Sequence, residues 1–379
     1  DVLGRAGAWC GQNKYLSAIK NAFQNFMPLT IAGAIGVLWC NVLVNDQTGL
    51  GLFFKPIMAL DFLNPAFQAV NFCTISCITV GITLGIAQEI GVWNMGAERA
   101  GYIPGLVGLA AWLSVTNTSH MVDGAKEAFT GIAGNELGAT GLFTGMIIGV
   151  LSVELFCFFE KQDALKIKMP EQVPPGVARA FEVLVPATIT LIITACIGSA
   201  CYNLTGLYLN DVIKNGIQGP LGAVGATIPG VMIIYLVIML FWLVGIHGNN
   251  MLSAVKEALF TPLALENVEA FNKGETPKNI INMYFLQMTG EFGGSGVTIG
   301  LVIAIMIFGK REDNKAIATL SLVPGLFNIN ETVTFGIPMV LNPILGIPFV
   351  VAPLITIIIG YVLTVIGFCP VACLTVPWT

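Results

Sequence analysis

Stretches without formal charge alternate with short polar ones along most of this chain. Residues 21–45, 62–88, 100–122, 137–153 and 183–210 contain no Asp, Glu, Lys or Arg. A membrane-spanning helix needs about 20 apolar residues, so the pattern predicts five spans before residue 206, the fourth running on to Phe159. Ahead of the first span, NKYLSAIKNAFQNF (13–26) sets Tyr15, Ile19, Ala22 and Phe26 on one helical face. Lys14 and Lys20 lie off that stripe, which predicts an amphipathic helix on the membrane surface. The polar linker 160–182, with Pro170, Pro174 and Pro175, marks a boundary between two halves.

The second half is less regular. Residues 215–255 carry no formal charge, and as one helix would be about 60 Å long against a hydrocarbon core of about 30 Å. A span over roughly 224–245 is therefore expected to turn back at GIHGNN, 245–250. Charges alternate with Leu, Val and Phe over 251–290, which predicts short amphipathic or re-entrant helices. GGSG (293–296) leads an apolar run that ends at Gly309, and KREDNK (310–315) is a short aqueous loop. A helix, a broken hairpin around NINET (328–332) and one or two closing spans complete the chain. The fold expected is an all-α polytopic membrane protein of about ten membrane helices, with re-entrant hairpins in the carboxyl-terminal half. Its domains are expected at 1–170 (extending to about 205 with the fifth span) and 206–379. No internal repeat is visible.

Composition supports the membrane reading. Charged residues are 10% of the chain and hydrophobic ones 55%, where a soluble domain carries ~25% charged residues. So few charges cannot cover so much apolar surface in water. The 17 basic residues are scattered, without the basic stripe that nucleic acid needs. Arg5, Lys14 and Lys20 precede the first span, and Lys161, Lys166, Lys168 and Arg179 follow the fourth. The loops after the first and third spans hold only Lys55 and Lys126. That asymmetry predicts a cytoplasmic amino terminus. Eight of the nine Cys sit in apolar runs, as small core residues, and Cys10 lies in a polar segment. None forms CxxC or metal-ligand spacing with His, so neither metal nor cofactor is expected. No cleavable signal pattern is read. The chain opens at Asp1 and stops at VPWT, so trimmed ends are expected.

Candidate chemistry gathers at FNINETVTFGIPMVLNPI, 327–344. Glu331 is its one carboxylate, and no Asp, Glu, Lys, Arg or His follows from Thr332 to the end. An ionised carboxylate in hydrocarbon costs roughly 2.5–3.5 kcal/mol on insertion scales, so it faces a cavity or a partner. Asn328, Asn330, Thr332, Thr334, Gly336, Pro338, Asn342 and Pro343 around it interrupt a helix and offer hydrogen bonds, as backbone lining a polar cavity does. Glu331 has three readings: a structural ion pair, with a buried cation or with His247; a proton carrier; or an acceptor that polarises a sugar hydroxyl. His247, between Gly245 and Gly248 and before Asn249 and Asn250, is a cavity residue or a cap on a helix carboxyl terminus. His120 is a surface residue in a non-cytoplasmic loop. GGSG (293–296) has no bulky side chains, so its amides and the Ser295 hydroxyl have the room to meet hydroxyls. Trp242 and Trp378 either stack on a sugar ring or anchor at the interface. Glu291 is a second acid with no assigned role.

NKYLSAIKNAFQNFMPLTIAGAIG, MPEQVPPGVARAFEVLVP, FWLVGIHG, GGSGVTIGL and FNINETVTFGIPMVLNPILGIPFVVAP follow in this order. Together they resemble the membrane enzyme IIC component of the lactose/cellobiose/diacetylchitobiose group of the bacterial phosphoenolpyruvate-dependent sugar phosphotransferase system. The resemblance covers most of the chain, and the GIHG and NINE blocks are its most specific parts. It implies a homodimer in the bacterial cytoplasmic (inner) membrane, with the amino-terminal half as the interface. It implies that the carboxyl-terminal half holds a disaccharide between re-entrant hairpins and moves it inward. There a partner, enzyme IIB, phosphorylates the sugar's primary hydroxyl from a phosphocysteine. Glu331 and His247 would be the sugar-binding pair at that hydroxyl, Glu331 with a catalytic part, and Asn330, Asn250, Gly294, Ser295, Trp242 and Trp378 would line the site. The chain departs from the family where Thr332 replaces the usual Pro, which restores an N–H and frees the local backbone. No Cys here lies among cations or amides in water, so the phosphoryl donor is expected on a separate chain. The rival readings are a proton-coupled disaccharide symporter with Glu331 as carrier, and a channel or structural protein with Glu331 in a buried ion pair.

Overall fold

The computed structural model describes residues 12–46, 49–120, 129–170, 172–337 and 342–374, with Arg5, Trp9 and Met339, and for Glu331 and Pro343 the backbone alone. The described chain is mostly helical. Its one sheet is a two-residue antiparallel ribbon, Ser119–His120 against Phe129–Thr130. Four helical stretches are long and apolar enough to cross a membrane, 14–43, 139–160, 175–205 and 344–365, or up to six if each of two bent pairs is one span. Two shorter apolar helices, Ile103–Val115 and Thr298–Phe308, accompany them.

The chain forms two compact units. One comprises Lys14–Gly33 and Ala69–Pro220. Helix α1 (Lys14–Leu38) begins in it, followed by α2 (Ile78–Met95), α3 (Ile103–Val115), α4 (Ala139–Glu160) and α5 (Pro175–Thr205). Helices α2, α3 and α4 pack on one another and α5 packs on α3 and α4. Ile82, Ile86, Ile90, Trp112, Leu142 and Phe156 are fully buried between them. Small residues allow the close approach. A Cβ on Gly108 would lie 2.3 Å from Ala87, and one on Gly145 would lie 2.2 Å from the Thr83 hydroxyl, as expected where packing rather than hydrophobic drive joins helices. Helix α5 starts with Pro175 at its first position and ends at Gly206, whose φ of 72° favours a residue without Cβ. The expected stripe on α1 is displaced: Ala18, Ala22, Phe23 and Phe26 are buried, whereas Tyr15 is exposed.

The other unit comprises Asp1–Asn13, Ala34–Gln68 and Leu221–Thr379. Its helices are α6 (Ile228–Leu243), α7 (Gly248–Asn272), α8 (Met283–Gly290), α9 (Thr298–Phe308), α10 (Glu312–Leu326), α11 (Glu331–Gly336) and α12 (Pro343–Val365). Side chains cap several of them. Thr227 Oγ1 accepts from the Gly230 amide, Asn282 Oδ1 from those of Tyr284 and Phe285, and Asn342 Oδ1 from those of Ile344 and Leu345. Ile344 and Ile347 on α12 are 81% and 67% exposed, an apolar outer face that suits lipid rather than water.

Two sequence expectations are corrected here. Residues 251–290 do not break into several short helices, because α7 is one 25-residue helix with Pro262 inside it. Its charges are met within the unit: Glu257 accepts from Thr261, Glu266 from Asn279, and Lys256 pairs with Glu291. KREDNK is not all loop either. Helix α10 begins at Glu312, with Glu312 and Asp313 in its first turn, where the helix dipole favours acids.

Candidate functional site

The site is built from two chain reversals in the carboxyl-terminal unit. The first follows α6. Gly245, at φ 82°, turns the chain after Trp242, and α7 starts three residues later. A Cβ on Gly248 would lie 2.0 Å from the Ile238 carbonyl, so only glycine lets α7 begin there. His247 caps this new helix: its Nδ1 accepts from the Asn250 amide at 3.2 Å. The sequence suggested a cap on a carboxyl terminus, and the structure makes it a cap on the amino end of the next helix. With Nδ1 as acceptor, the proton of the neutral ring resides on Nε2, which is a donor. The ring lies 4.4 Å from that of Trp242. Trp242 is 1% exposed and also meets Phe335 and Phe349, so its contacts are those of a support for His247.

The second reversal joins GGSG to NIN. Gly293, Gly294 and Gly296 have φ of 78°, 91° and 84°, followed by Val297 at 53°. Asn328, itself at φ 58°, accepts on Oδ1 from the amides of Gly293 (2.7 Å) and Gly294 (3.3 Å). Asn330 donates from Nδ2 to the Ser295 carbonyl at 2.6 Å. A Cβ on Gly294 would lie 2.6 Å from the Asn330 side chain. The two motifs are therefore one interlocked loop pair. Two of the amides expected to face a ligand are spent within it, which leaves the Ser295 hydroxyl as its polar group toward Asn249.

Asn249 connects the reversals, donating from Nδ2 to Ser295 Oγ at 2.7 Å. Its Oδ1 accepts from Lys256 Nζ at 3.3 Å. Lys256 forms a buried ion pair with Glu291, and Glu291 also accepts from the Tyr235 hydroxyl at 2.8 Å. Glu291 is thus placed, and Lys256, Asn249 and Tyr235 join it as site residues that the sequence pattern did not single out. Their only signal was a lysine and a glutamate in an apolar half with few charges to spare.

His247, Asn250, Trp242, Gly294, Ser295 and Asn330 thus belong to one connected network. Glu331 opens α11 directly after Asn330, and Thr332, where the resembled family has Pro, is exposed in that first turn. The side chain of Glu331 and all of Trp378 lie outside the described residues. Among the described residues no group of three or more His, Cys, Asp or Glu could hold a metal. A cavity of ≈ 420 Å³ lined by Leu240, Leu243, Val244, Ile347 and Val350 lies nearby. Its walls are apolar, which suits an acyl chain and not a polyhydroxyl ligand.

Known proteins resemble this chain over nearly its whole length. The chain is 33% identical over 372 residues to the oligo-beta-mannoside-specific EIIC component of the phosphotransferase system of Bacillus subtilis (strain 168), covering 97% of this chain and 81% of that protein. It is 30% identical to the cellobiose-specific EIIC component of Lactococcus lactis subsp. lactis (strain IL1403), covering 97% and 86%. The structure superposes on the crystal structure of the transporter ChbC, the IIC component from the N,N'-diacetylchitobiose-specific phosphotransferase system, with a TM-score of 0.88 at 29% identity, over 98% of this chain and 86% of that one. The pattern of the family described as "Phosphotransferase system, EIIC" matches residues 20–353, so both reversals lie within it and this integral membrane chain belongs to that family of permease components.

Proposed function

We propose that this chain binds a β-linked disaccharide of the cellobiose or N,N'-diacetylchitobiose type, carries it inward, and presents its primary hydroxyl to a phosphocysteine on a separate enzyme IIB protein. The observation that carries this reading is the joining of GIHGNN, GGSG and NIN through Asn249, Ser295 and Asn330. Polar side chains and interrupted helices meet there inside an apolar unit, the arrangement that membrane transporters use for substrate sites. Glu331 accepts from the primary hydroxyl and orients it in line with the phosphoryl group, since phosphoryl transfer depends chiefly on positioning and charge stabilisation. His247 donates from Nε2, backed by Trp242. Asn250, Asn330, Gly294 and Ser295 complete the wall, and Trp378 covers a sugar face.

In this reading the protein is a homodimer in the bacterial inner membrane with its amino terminus in the cytoplasm. Residues 1–170, extending to about 205, form the dimer domain, and 206–379 move as the transport domain. Exposed Leu184, Ile192 and Ile197 on α5 support a further apolar partner for that half. The short helices α8, α9 and α11 supply re-entrant hairpins that bring the membrane elements to about ten. The test pairs purified protein with cellobiose, N,N'-diacetylchitobiose and lactose by calorimetry, then adds phosphorylated enzyme IIB. Glu331→Gln is expected to remain folded and lose sugar phosphate production. Normal production by Glu331→Ala rejects the role, and uptake that needs only a proton gradient rejects the reaction.

A further inference from the structure

The Lys256–Glu291 pair lies behind the proposed sugar site and touches it through one side chain, Asn249. A primary amide presents an oxygen that only accepts and a nitrogen that only donates, so its orientation is decided by its neighbours. Lys256 is buried, its side chain 7% exposed, and its ammonium is paired with the Glu291 carboxylate. An ammonium has three donors and no lone pair. Asn249 must therefore turn Oδ1 toward Lys256 and Nδ2 toward Ser295, the arrangement observed at 3.3 Å and 2.7 Å. Ser295 Oγ is thereby an acceptor on that side. Its own proton finds no acceptor among the described residues, and Ser295 itself is 5% exposed.

Resting on the sugar-site reading above, we infer that Lys256 and Glu291 fix the hydrogen-bond polarity of the site through Asn249, so that Ser295 meets the disaccharide as a donor to one of its acceptor oxygens. The direction runs Tyr235 to Glu291, Lys256 to Glu291 and to Asn249, Asn249 to Ser295, and Ser295 to sugar. Lys256, Glu291 and Asn249 are positioning residues and Ser295 is the contact. A sugar offers hydroxyls that both donate and accept, so without this fixed polarity the serine would select nothing. With it, the site discriminates between an oxygen and its absence, and the buried pair gains a role beyond stability. A buried ion pair by itself is a weak stabiliser relative to an apolar pair of similar volume.

Asn249→Asp separates this role from packing, because the two side chains have the same shape. Aspartate accepts at both ends, so it still receives Lys256 but now also takes the Ser295 proton. Binding of cellobiose and N,N'-diacetylchitobiose to purified full-chain protein is measured by calorimetry, beside thermal unfolding. Asn249→Asp is expected to unfold like wild type and bind about tenfold more weakly, the worth of one hydrogen bond left unmade. Ser295→Ala is expected to lose a similar factor, the double variant no more than either single one, and Lys256→Arg, still a pure donor, to retain affinity. Affinity within twofold of wild type in Asn249→Asp, with Ser295→Ala weakened, overturns the polarity claim and leaves the sugar site standing. Unchanged affinity in Ser295→Ala removes Ser295 from the site and this inference with it. Should Asn249→Asp fail to fold, Lys256→Met combined with Glu291→Gln takes its place. That pair frees Asn249 to turn, so weakened binding is expected and unchanged binding overturns the claim.

Discussion

Removing one half of a buried ion pair strands the other. Lys256→Met alone leaves Glu291, among the described residues, with only Tyr235 as a donor from a side chain, and a lone buried charge costs about 3–5 kcal/mol. Lys256→Met with Glu291→Gln removes both charges and is expected to recover most of that loss, read as the unfolding midpoint in detergent. Equal midpoints for the single and double variants would show that the pair is not coupled. His247 allows a second separation at this scale. His247→Ala removes the Nδ1 cap, costing about 1 kcal/mol, and also the ring donor. His247→Asn restores a capping acceptor without Nε2, so stability is expected to return while sugar affinity does not. Sequence spacing exposed His247, flanked by glycines at the end of a long apolar run. It did not expose Lys256, and it marked Glu291 only as an acid without a role, because 35 residues separate the two and no local pattern joins them.

Elements were legible where lipid dictates composition and illegible where charges are matched internally. Charge-free intervals located α1, α4, α5 and α6 because an unpaired charge is costly in hydrocarbon whatever the fold. The interval 137–153 ends in α4, which continues to Glu160 since that acid is met by Arg99 and Arg179. Helix α7 was misread for the same reason: Lys256 pairs with Glu291 and Glu266 with Asn279, partners too far along the chain for a periodic pattern to show. The interlocked loops were legible as glycine and asparagine clusters, but their joining was not, since it depends on three glycines at positive φ meeting the side-chain amides of Asn328 and Asn330. Substitution tests that joining. Gly294→Ala must place a Cβ at φ 91° and 2.6 Å from Asn330, so sugar binding and the unfolding midpoint are both expected to fall. Gly300→Ala in α9 meets nothing within 4 Å and is expected to be neutral or stabilising by about 0.5–1 kcal/mol. Similar effects from the two substitutions would mean that the loop pair yields as easily as an exposed helix face.

At the scale of the whole molecule, the proposed orientation in the membrane rests on which loops share an end. Within the amino-terminal unit, Arg99, in the turn after α2, reaches Glu160 and Glu182 at 2.8 Å each, and Arg179 reaches the same two acids at 2.9 and 2.8 Å. Lys14 at the start of α1 pairs with Glu154 near the end of α4 at 2.5 Å. The start of the first span, the turn after the second and the loop after the fourth therefore lie at one end. The Ser119–Thr130 ribbon, which follows α3, belongs to the other. The first end collects Lys14, Arg99, Lys161, Lys166, Lys168 and Arg179, and basic residues near span ends remain on the cytoplasmic side. A single cysteine at Asp163 or Lys168, in a background whose native cysteines are replaced, is expected to react with an impermeant maleimide in inverted vesicles only. One at Thr118 or Ser119, both exposed, is expected to react in right-side-out vesicles only. The opposite pattern would place the basic end outside. In that case the phosphoryl donor could not reach the sugar once it had crossed, and the proposed reaction would fail together with the orientation.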